Sequence, residues 1–117
     1  MIGIDVLEVS RMKKALKVNT FKQKVFTETE IEYCERLKNA AAHYAGFFCA
    51  KEAVMKALKD CKKITFNHIQ ILHDVNGAPC VELFGEAKKV FESMGYKNIE
   101  ISISQTKTIA TAICMLK

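Results

Sequence analysis

The chain has 117 residues, half of them apolar, and a formal net charge of +5. This size and composition predict a single domain over residues 1–117 and exclude a largely disordered chain. No apolar run has the length of a membrane-spanning helix and no signal-peptide pattern is present, so we expect no membrane association. The positive charge is compatible with a solvated basic surface, an anionic phosphate ligand, an acidic protein partner or nucleic acid.

The first half of the chain is predicted to be mainly helical. A strand, a short helix and a helical turn are predicted over residues 2–6, 9–17 and 21–26. Thr27 and Glu30 then have the spacing of a capping box, which predicts the start of another helix. A long helix follows from about Ala41 to Lys59, where apolar residues recur at helical intervals.

The second half changes to a two-residue period. Ile69 and Ile71 alternate with polar residues as in a half-buried strand, and Asn76-Gly77 predicts a turn. The remaining elements are predicted as a strand at 80–84, a short helix at 85–94, and strands at 99–104 and 109–116. The last strand is apolar on both faces, so it needs cover on both, and a subunit interface is a reasonable source. The predicted fold class is α+β, with helices packed on one side of a mostly antiparallel sheet.

The cysteines and histidines give no sign of a structural metal site or of disulfides. Five cysteines occur without a CxxC pair, and the three histidines lack a metal-binding spacing. We therefore expect free thiols in a reducing cytoplasm and no zinc site.

Charged residues interrupt the most apolar parts of the sequence. Asp5 lies in the first strand, and Lys51, Glu52 and Lys56 lie in the long helix. Taken singly, these residues have ordinary explanations: a helix cap, a solvated strand end or an i,i+4 surface pair. Taken together, two carboxylates suit a hard divalent cation that also binds phosphate oxygens, and lysines suit the phosphates themselves. Two metal-binding carboxylates and neighbouring lysines are the smallest set of groups that can bind and activate a phosphate ester.

The whole chain resembles the holo-[acyl-carrier-protein] synthase family, the small trimeric class of 4′-phosphopantetheinyl transferases. The combination of GID with the KEAxxKAL pattern is specific, whereas each other matching segment is weak by itself. The matching segments follow the family's order and spacing: GID at 3–5, Arg11, FTETEIEYC at 26–34, AKEAVMKAL at 50–58, NGAP at 76–79 and SISQT at 102–106.

The resemblance implies a cytoplasmic, homotrimeric enzyme with sites at its subunit interfaces. Family members transfer the 4′-phosphopantetheine arm of coenzyme A to a serine of apo acyl carrier protein and release adenosine 3′,5′-bisphosphate. The implied Mg²⁺ ligands are Asp5 and Glu52, and the implied catalytic residues are Glu52 and Lys56. Either Glu52 or a metal-bound water is the general base. Lys51 is expected to steady the carboxylates rather than to touch substrate.

Further contacts follow from the same resemblance. Arg11 matches a position that contacts the acidic carrier protein. The residues expected to bind coenzyme A are Lys56, Gly77, Pro79, Ser104 and Gln105.

Three departures from the family pattern concern the nucleotide end of coenzyme A. Gln105 stands where the family usually has histidine, and Phe47 stands where it usually has arginine. The segment 59–63, KDCKK, replaces a glycine-rich turn and offers lysines as substitute positive charge. These changes leave open a coenzyme A-binding or scaffold homologue that has lost activity. A nucleic-acid-binding module is a further alternative, but the alternating strands lack an aromatic stacking platform.

Overall fold

The computed structural model of the chain describes residues 1–59 and 62–117. Each predicted strand and helix is present, with ends that differ from the sequence-based bounds by about two residues at most. The prediction that Cys61 is a free thiol lies outside the described residues. The elements, in chain order, are β1 (Ile2–Glu8), α1 (Val9–Leu16), α2 (Phe21–Val25), α3 (Glu28–Glu35), α4 (Ala40–Leu58), a 3₁₀ turn (Phe66–His68), β2 (Ile69–His73), β3 (Pro79–Leu83), α5 (Gly85–Ser93), β4 (Ile99–Gln105) and β5 (Ile109–Leu116).

The strands form two antiparallel sheets in the described part of the chain. One sheet has three strands in the order β1-β5-β4, and the other is the β2-β3 hairpin. In the larger sheet Ala112 of β5 lies between Asp5 of β1 and Ile103 of β4. The α+β prediction, with an antiparallel sheet covered by helices, is therefore confirmed.

Helix α4 is the centre of the core. It is 19 residues long and buried around most of its circumference, because the sheet, α1 and α3 all pack against it. Gly3 allows β1 to approach it closely, since a Cβ at Gly3 would clash with the backbone carbonyl of Ala53. On the sheet side, Ala110, Ala112 and Cys114 of β5 are also small and buried. Small residues on both sides bring the backbone of β1 next to that of α4.

Lys51 is a buried anchor for α4. Its Nζ lies 2.6 Å from Glu30 Oε1, and both side chains are fully buried. Lys51 also donates to the carbonyl oxygens of Val25 (2.8 Å) and Phe66 (3.2 Å), while Glu30 Oε2 accepts the Ile71 N–H at 2.7 Å. Burial lowers the pKa of Lys51, and Glu30 opposes that effect. The carboxylate that Lys51 steadies is thus Glu30, which corrects the expectation that it steadies the metal-binding pair.

The capping box at the start of α3 connects to this anchor. Thr27 Oγ1 accepts the Glu30 N–H at 3.3 Å, and Glu30 Oε1 accepts the Thr27 N–H at 2.8 Å. The prediction of a capping box is confirmed. Glu30 has a second role that its spacing from Thr27 does not reveal, because its partner Lys51 is 21 positions further along the chain.

The face of the larger sheet that points away from α4 is exposed in the described part of the chain, and it is mainly apolar across β1 and β5. We name it the outer face; its apolar members are Ile2, Ile4, Val6, Ile109, Ile113 and Met115. Ile4 is 62% exposed and lies directly opposite Ile113 in the register. The predicted double-sided apolar character of β5 is therefore confirmed, with one side against α4 and the other on the outer face. Within residues 1–59 and 62–117, no helix has both the length and the hydropathy to cross a membrane.

Candidate functional site

Asp5, Glu52 and Lys56 come together where β1 runs beside α4, and we name this group the carboxylate site. Lys56 Nζ lies 3.2 Å from Asp5 Oδ1 and also donates to the Ile4 carbonyl oxygen at 2.9 Å. Asp5 points towards α4 because it shares the inner side of β1 with Gly3, two residues earlier. Glu52 and Lys56 lie one turn apart on the helix. The three residues singled out from distant parts of the sequence are therefore neighbours in space.

Burial and mutual repulsion shape the electrostatics of the carboxylate site. Burial is the main cause that raises the pKa of Glu52, and the charge of Asp5 raises it further, while Lys56 lowers it. Cys49 lies against the same group: burial, then Asp5 and Glu52, raise the pKa of its thiol to about 12. Cys49 is thus a neutral thiol that donates to the Ala110 carbonyl oxygen at 3.6 Å. A second positive charge beside the two carboxylates would relieve the repulsion that raises the Glu52 pKa.

The donor set of the carboxylate site suits a hard cation that arrives with its substrate. Among the described residues, no group of three or more His, Cys, Asp or Glu side chains is arranged to hold a metal ion by protein ligands alone. Mg²⁺ commonly takes only one or two carboxylates from a protein and completes its shell with phosphate oxygens and water. Asp5 and Glu52 meet that requirement.

The expected coenzyme A residues from two distant segments meet at one cavity of about 390 Å³. Gly77 and Pro79 come from the β2-β3 hairpin, and Ser104 and Gln105 come from β4. Lys56, also expected to bind coenzyme A, does not line this cavity. We name this cavity of about 390 Å³ the histidine cavity. Its lining residues are Tyr33, His43, Phe47, His73, Gly77, Pro79, Ile103, Ser104 and Gln105.

Aromatic rings and two histidines form one wall of the histidine cavity. The rings of Tyr33 and His73 are stacked with centroids 4.3 Å apart, and Phe47 stacks on Tyr33 at 5.4 Å. His43 Nδ1 lies 2.8 Å from Gln105 Nε2. Gly46 makes room for that amide, since a Cβ at Gly46 would lie 2.5 Å from Gln105 Oε1.

Sequence reasoning did not select Tyr33, His43 or His73 as site residues. One signal was available: His43 and Phe47 are separated by four residues in a predicted helix, so they share a face. Tyr33 and His73 carry no comparable signal, because their ring stack joins two segments separated by 40 positions.

Arg11 lies apart from both regions, on the exposed side of α1. It lines a shallow groove of about 220 Å³ whose other walls are apolar. The groove residues are Leu7, Arg11, Met12, Ala15, Phe21 and Phe48. A cation beside an apolar groove is suited to a protein segment that presents both an acidic and an apolar side chain.

Comparison with known proteins assigns the family. The family model of the 4′-phosphopantetheinyl transferase superfamily matches residues 1–114. The chain belongs to the 4′-phosphopantetheinyl transferase superfamily. A relative in this superfamily, holo-[acyl-carrier-protein] synthase of Thermoanaerobacter sp. (strain X514), is 42% identical over 111 residues, covering 93% of this chain and 80% of the relative.

Solved structures of the superfamily share the same fold. The holo-[acyl-carrier-protein] synthase of Helicobacter pylori in complex with coenzyme A aligns with a TM-score of 0.87 and 29% identity over 100% of both chains. The Bacillus anthracis enzyme in complex with CoA (3′,5′-ADP) aligns with a TM-score of 0.80 and 30% identity, over 98% of this chain and 93% of that one. The predicted 4′-phosphopantetheinyl transferase fold is therefore confirmed.

Proposed function

We propose that the chain is a holo-[acyl-carrier-protein] synthase that transfers 4′-phosphopantetheine from coenzyme A to a serine of apo acyl carrier protein. The serine oxygen forms a bond to the β-phosphorus of coenzyme A, and the bond from that phosphorus to the leaving adenosine 3′,5′-bisphosphate breaks. The observation that carries this proposal is the convergence of Asp5, Glu52 and Lys56 at one place in a chain of this superfamily. Residues 1–117 form the catalytic domain.

Each residue of the carboxylate site has a proposed role. Lys56 neutralises the diphosphate, because an ammonium acts as a point charge towards phosphate oxygens. Its present partner Asp5 holds it close to the site at 3.2 Å. Glu52 is the protein group we propose as acceptor of the serine proton, and a water bound to the metal ion is the alternative acceptor.

Asp5 and Glu52 are also the proposed ligands of Mg²⁺. The bound ion supplies neutralisation of the charge on the diphosphate and on the leaving group. The repulsion between Asp5 and the partly buried Glu52 supports this assignment, because a divalent cation between them stabilises the ionised form of both carboxyl groups.

The groove at Arg11 is the proposed docking site for the carrier protein. Arg11 supplies a positive charge, and Phe21 and Phe48 supply apolar surface beside it. Acyl carrier proteins are acidic, and complementary charge mainly accelerates the encounter of two proteins.

The outer face is the proposed interface between copies of the chain, and the family resemblance favours a homotrimer. Ser104 supports a site at the subunit boundary, because it lines both the histidine cavity and a shallow pocket on the outer face beside Ile4 and Ile113. Multi-angle light scattering should give three times the chain mass. Ile113→Glu should lower that mass, and a wild-type monomer with full activity would refute the proposal.

The described thiols support a reducing compartment for this enzyme, and we propose the cytoplasm. Cys34, Cys49, Cys80 and Cys114 are all unpaired with one another. Three of them are buried, and their thiol pKa values are raised to about 12, so they are unreactive as thiolates.

One assay tests the proposed activity against an inactive coenzyme A-binding or scaffold homologue. Apo acyl carrier protein is incubated with coenzyme A, Mg²⁺ and the enzyme, and the carrier mass is followed by mass spectrometry. We expect the carrier to gain one 4′-phosphopantetheine group. Binding of coenzyme A without any mass gain, at every enzyme concentration, would favour the inactive homologue.

A further inference from the structure

The histidine cavity contains no permanent charge in its walls. Its described lining residues are aromatic, aliphatic, hydroxyl, amide or imidazole groups, and none is a lysine, an arginine or a carboxylate. Among these described lining residues, only His43 and His73 can gain a positive charge near neutral pH. The attraction for an anion that one chain's cavity supplies therefore depends on two imidazoles.

The lining of the cavity suits the nucleotide end of coenzyme A, because it brings together four of the residues that the family resemblance assigns to coenzyme A: Gly77, Pro79, Ser104 and Gln105. Phe47 and Glu52 are five residues apart on α4, about 7.5 Å along the helix axis and about 140° around it, so the cavity and the carboxylate site of one chain lie on different flanks of the helix. A site at the boundary between copies, as proposed above, sets the cavity of one chain beside the carboxylate site of another. The nucleoside of coenzyme A carries a 3′-phosphate monoester, whose second ionisation occurs near a pKa of about 6.

We propose that His43 and His73 are specificity-determining residues that recognise the 3′-phosphate of coenzyme A in their protonated forms, in place of a fixed cation. This inference rests on the proposed function, because it assumes that coenzyme A is the substrate. It assigns to these two residues the discrimination between coenzyme A and dephospho-coenzyme A, which differ only in that phosphate.

The hydrogen bond between Gln105 and His43 is compatible with both charge states of the imidazole. In the neutral form, the Gln105 Nε2–H group donates to His43 Nδ1 across 2.8 Å. In the protonated form, Nδ1 becomes a donor, and rotation of the amide presents Gln105 Oε1 as the acceptor. Gln105 therefore orients His43 without fixing its charge.

The charged groups around the two histidines favour the neutral form in the free protein. Burial lowers the pKa of His43; burial and then the charge of His43 lower the pKa of His73, while Asp74 opposes this. Lys107 lines a neighbouring cavity with His43 and Gln105, so it adds positive charge on that side. On the α3 side, Tyr33 stacks on His73, and the Arg36 guanidinium carbon lies 5.9 Å from the Tyr33 ring centroid.

The sign of the pH dependence follows from these surroundings. With lowered pKa values, both imidazoles are neutral above pH 7 and gain charge as the pH falls. A bound phosphate dianion stabilises the charged form and raises both pKa values, so binding takes up protons. Preference for coenzyme A over dephospho-coenzyme A should therefore rise on acidification, until protonation of the phosphate itself reverses the trend below a pH of about 6.

The test compares the dissociation constants of coenzyme A and dephospho-coenzyme A by calorimetry between pH 6 and pH 8.5. In the wild type, the preference for coenzyme A should be roughly threefold to tenfold greater at pH 6, because charge-assisted hydrogen bonds are stronger than neutral ones. His43→Gln keeps a side chain able to bond Gln105, and His73→Phe keeps the ring stack with Tyr33, but neither variant can ionise. Each should flatten the pH dependence of the preference. The control His68→Gln removes a histidine that accepts the Thr65 N–H and does not line the cavity, and it should retain the wild-type dependence.

A second measurement reports on the imidazoles directly. Because the chain has only three histidines, their ring signals can be assigned by NMR from the single variants. Adenosine 3′,5′-bisphosphate should raise the pKa of His43 and His73 and leave the ring signals of His68 in place, and 5′-AMP should raise the two pKa values less.

The outcomes separate this inference from the proposed function. A preference that is constant with pH, with coenzyme A still bound and the carrier still modified, would overturn the role of the histidines alone. A pH-dependent preference that persists in both His43→Gln and His73→Phe would overturn it as well and would point to another cation, such as Lys107. A protein that binds no coenzyme A at any pH would overturn both proposals.

Discussion

The carboxylate site and the histidine cavity lie on the same helix but differ in chemistry. At the carboxylate site, the carboxyl groups of Asp5 and Glu52 lie beside the amino group of Lys56, at positions that resemble the family pattern. Among the described residues that line the histidine cavity there is no lysine, arginine or carboxylate, and only His43 and His73 can gain a positive charge near neutral pH. The comparison supports our proposals that metal and diphosphate binding belong to the carboxylate site and that nucleotide binding in the histidine cavity depends on pH-sensitive groups.

The largest effect is expected at the carboxylate site. Asp5→Asn and Glu52→Gln should each lower kcat by at least about a hundredfold, since each removes a proposed ligand of the metal ion that neutralises the diphosphate. Turnover is measured by carrier mass gain as Mg²⁺ is varied. Glu92→Gln, at an exposed position on α5, is the matched control.

The two regions should respond differently to these variants. Binding of adenosine 3′,5′-bisphosphate in the absence of metal should be retained, because the histidine cavity is unchanged. Near-normal turnover of either variant at low Mg²⁺ would show that the metal assignment is wrong.

Loss of the buried Lys51–Glu30 pair should destabilise α4, and with it both the carboxylate site and the histidine cavity. Lys51→Met leaves Glu30 charged and unpaired in the core, so the free energy of unfolding should fall by about 3–5 kcal/mol. Urea denaturation followed by circular dichroism measures the change. The exposed pair of Lys117 with Glu100, at 3.0 Å, supplies a matched control: Lys117→Met should cost about 1 kcal/mol or less.

Replacement of the second partner tests the same explanation. Adding Glu30→Leu to Lys51→Met should recover part of the lost stability, because it removes the unpaired charge. If the single variant is as stable as the wild type, the pair does not anchor α4.

A smaller effect is expected at Gln105. Gln105→Ala removes the partner of His43 and a donor to phosphate, so the KM for coenzyme A should rise about tenfold to a hundredfold. Gln105→His keeps a hydrogen-bonding group and should change the rate only by a small factor. The pH–rate profiles of the wild type and Gln105→His are compared. A new ionisation near neutral pH with a large gain in kcat would show that a histidine at this position performs acid–base catalysis.

The smallest effect is expected in the groove, away from both regions. Arg11→Glu should raise the KM for the acidic carrier by about tenfold at low salt and less at high salt, since surface charge acts mainly on encounter. The KM for coenzyme A should stay constant. Lys89→Glu, exposed on α5, changes the net charge equally and should have little effect. Equal rises in both KM values would place Arg11 in the substrate pocket or in the support of the fold.

Local patterns in the sequence predicted most of the fold. Alternating isoleucines marked β4, and the spacing of Thr27 and Glu30 marked the start of α3, because strand and helix periodicity are local properties. The spacing along the chain does not show that Asp5, Glu52 and Lys56 share one site. Their combined chemistry and the family resemblance predicted it. The outer face was anticipated from β5 alone, since both sides of that strand are apolar.

The tertiary structure decided which distant groups meet. The sequence shows that Lys51 is a charged residue in an apolar helix, but it does not show its partner Glu30. That pairing, and the hydrogen bonds of the pair to α2, the 3₁₀ turn and β2, depend on how these elements and α3 pack around α4. The histidine cavity likewise exists only where α3, α4, the β2-β3 hairpin and β4 converge.

The sequence by itself determined the elements, the fold class and the charged residues of the carboxylate site, because these follow from local periodicity and from a family pattern carried in two short segments. Only the tertiary structure decided that His43 and His73 line one cavity with Gln105. Neither residue stands in a recognisable motif, and an imidazole gains its role from burial and from neighbours such as Gln105 and Tyr33, which packing alone brings into contact.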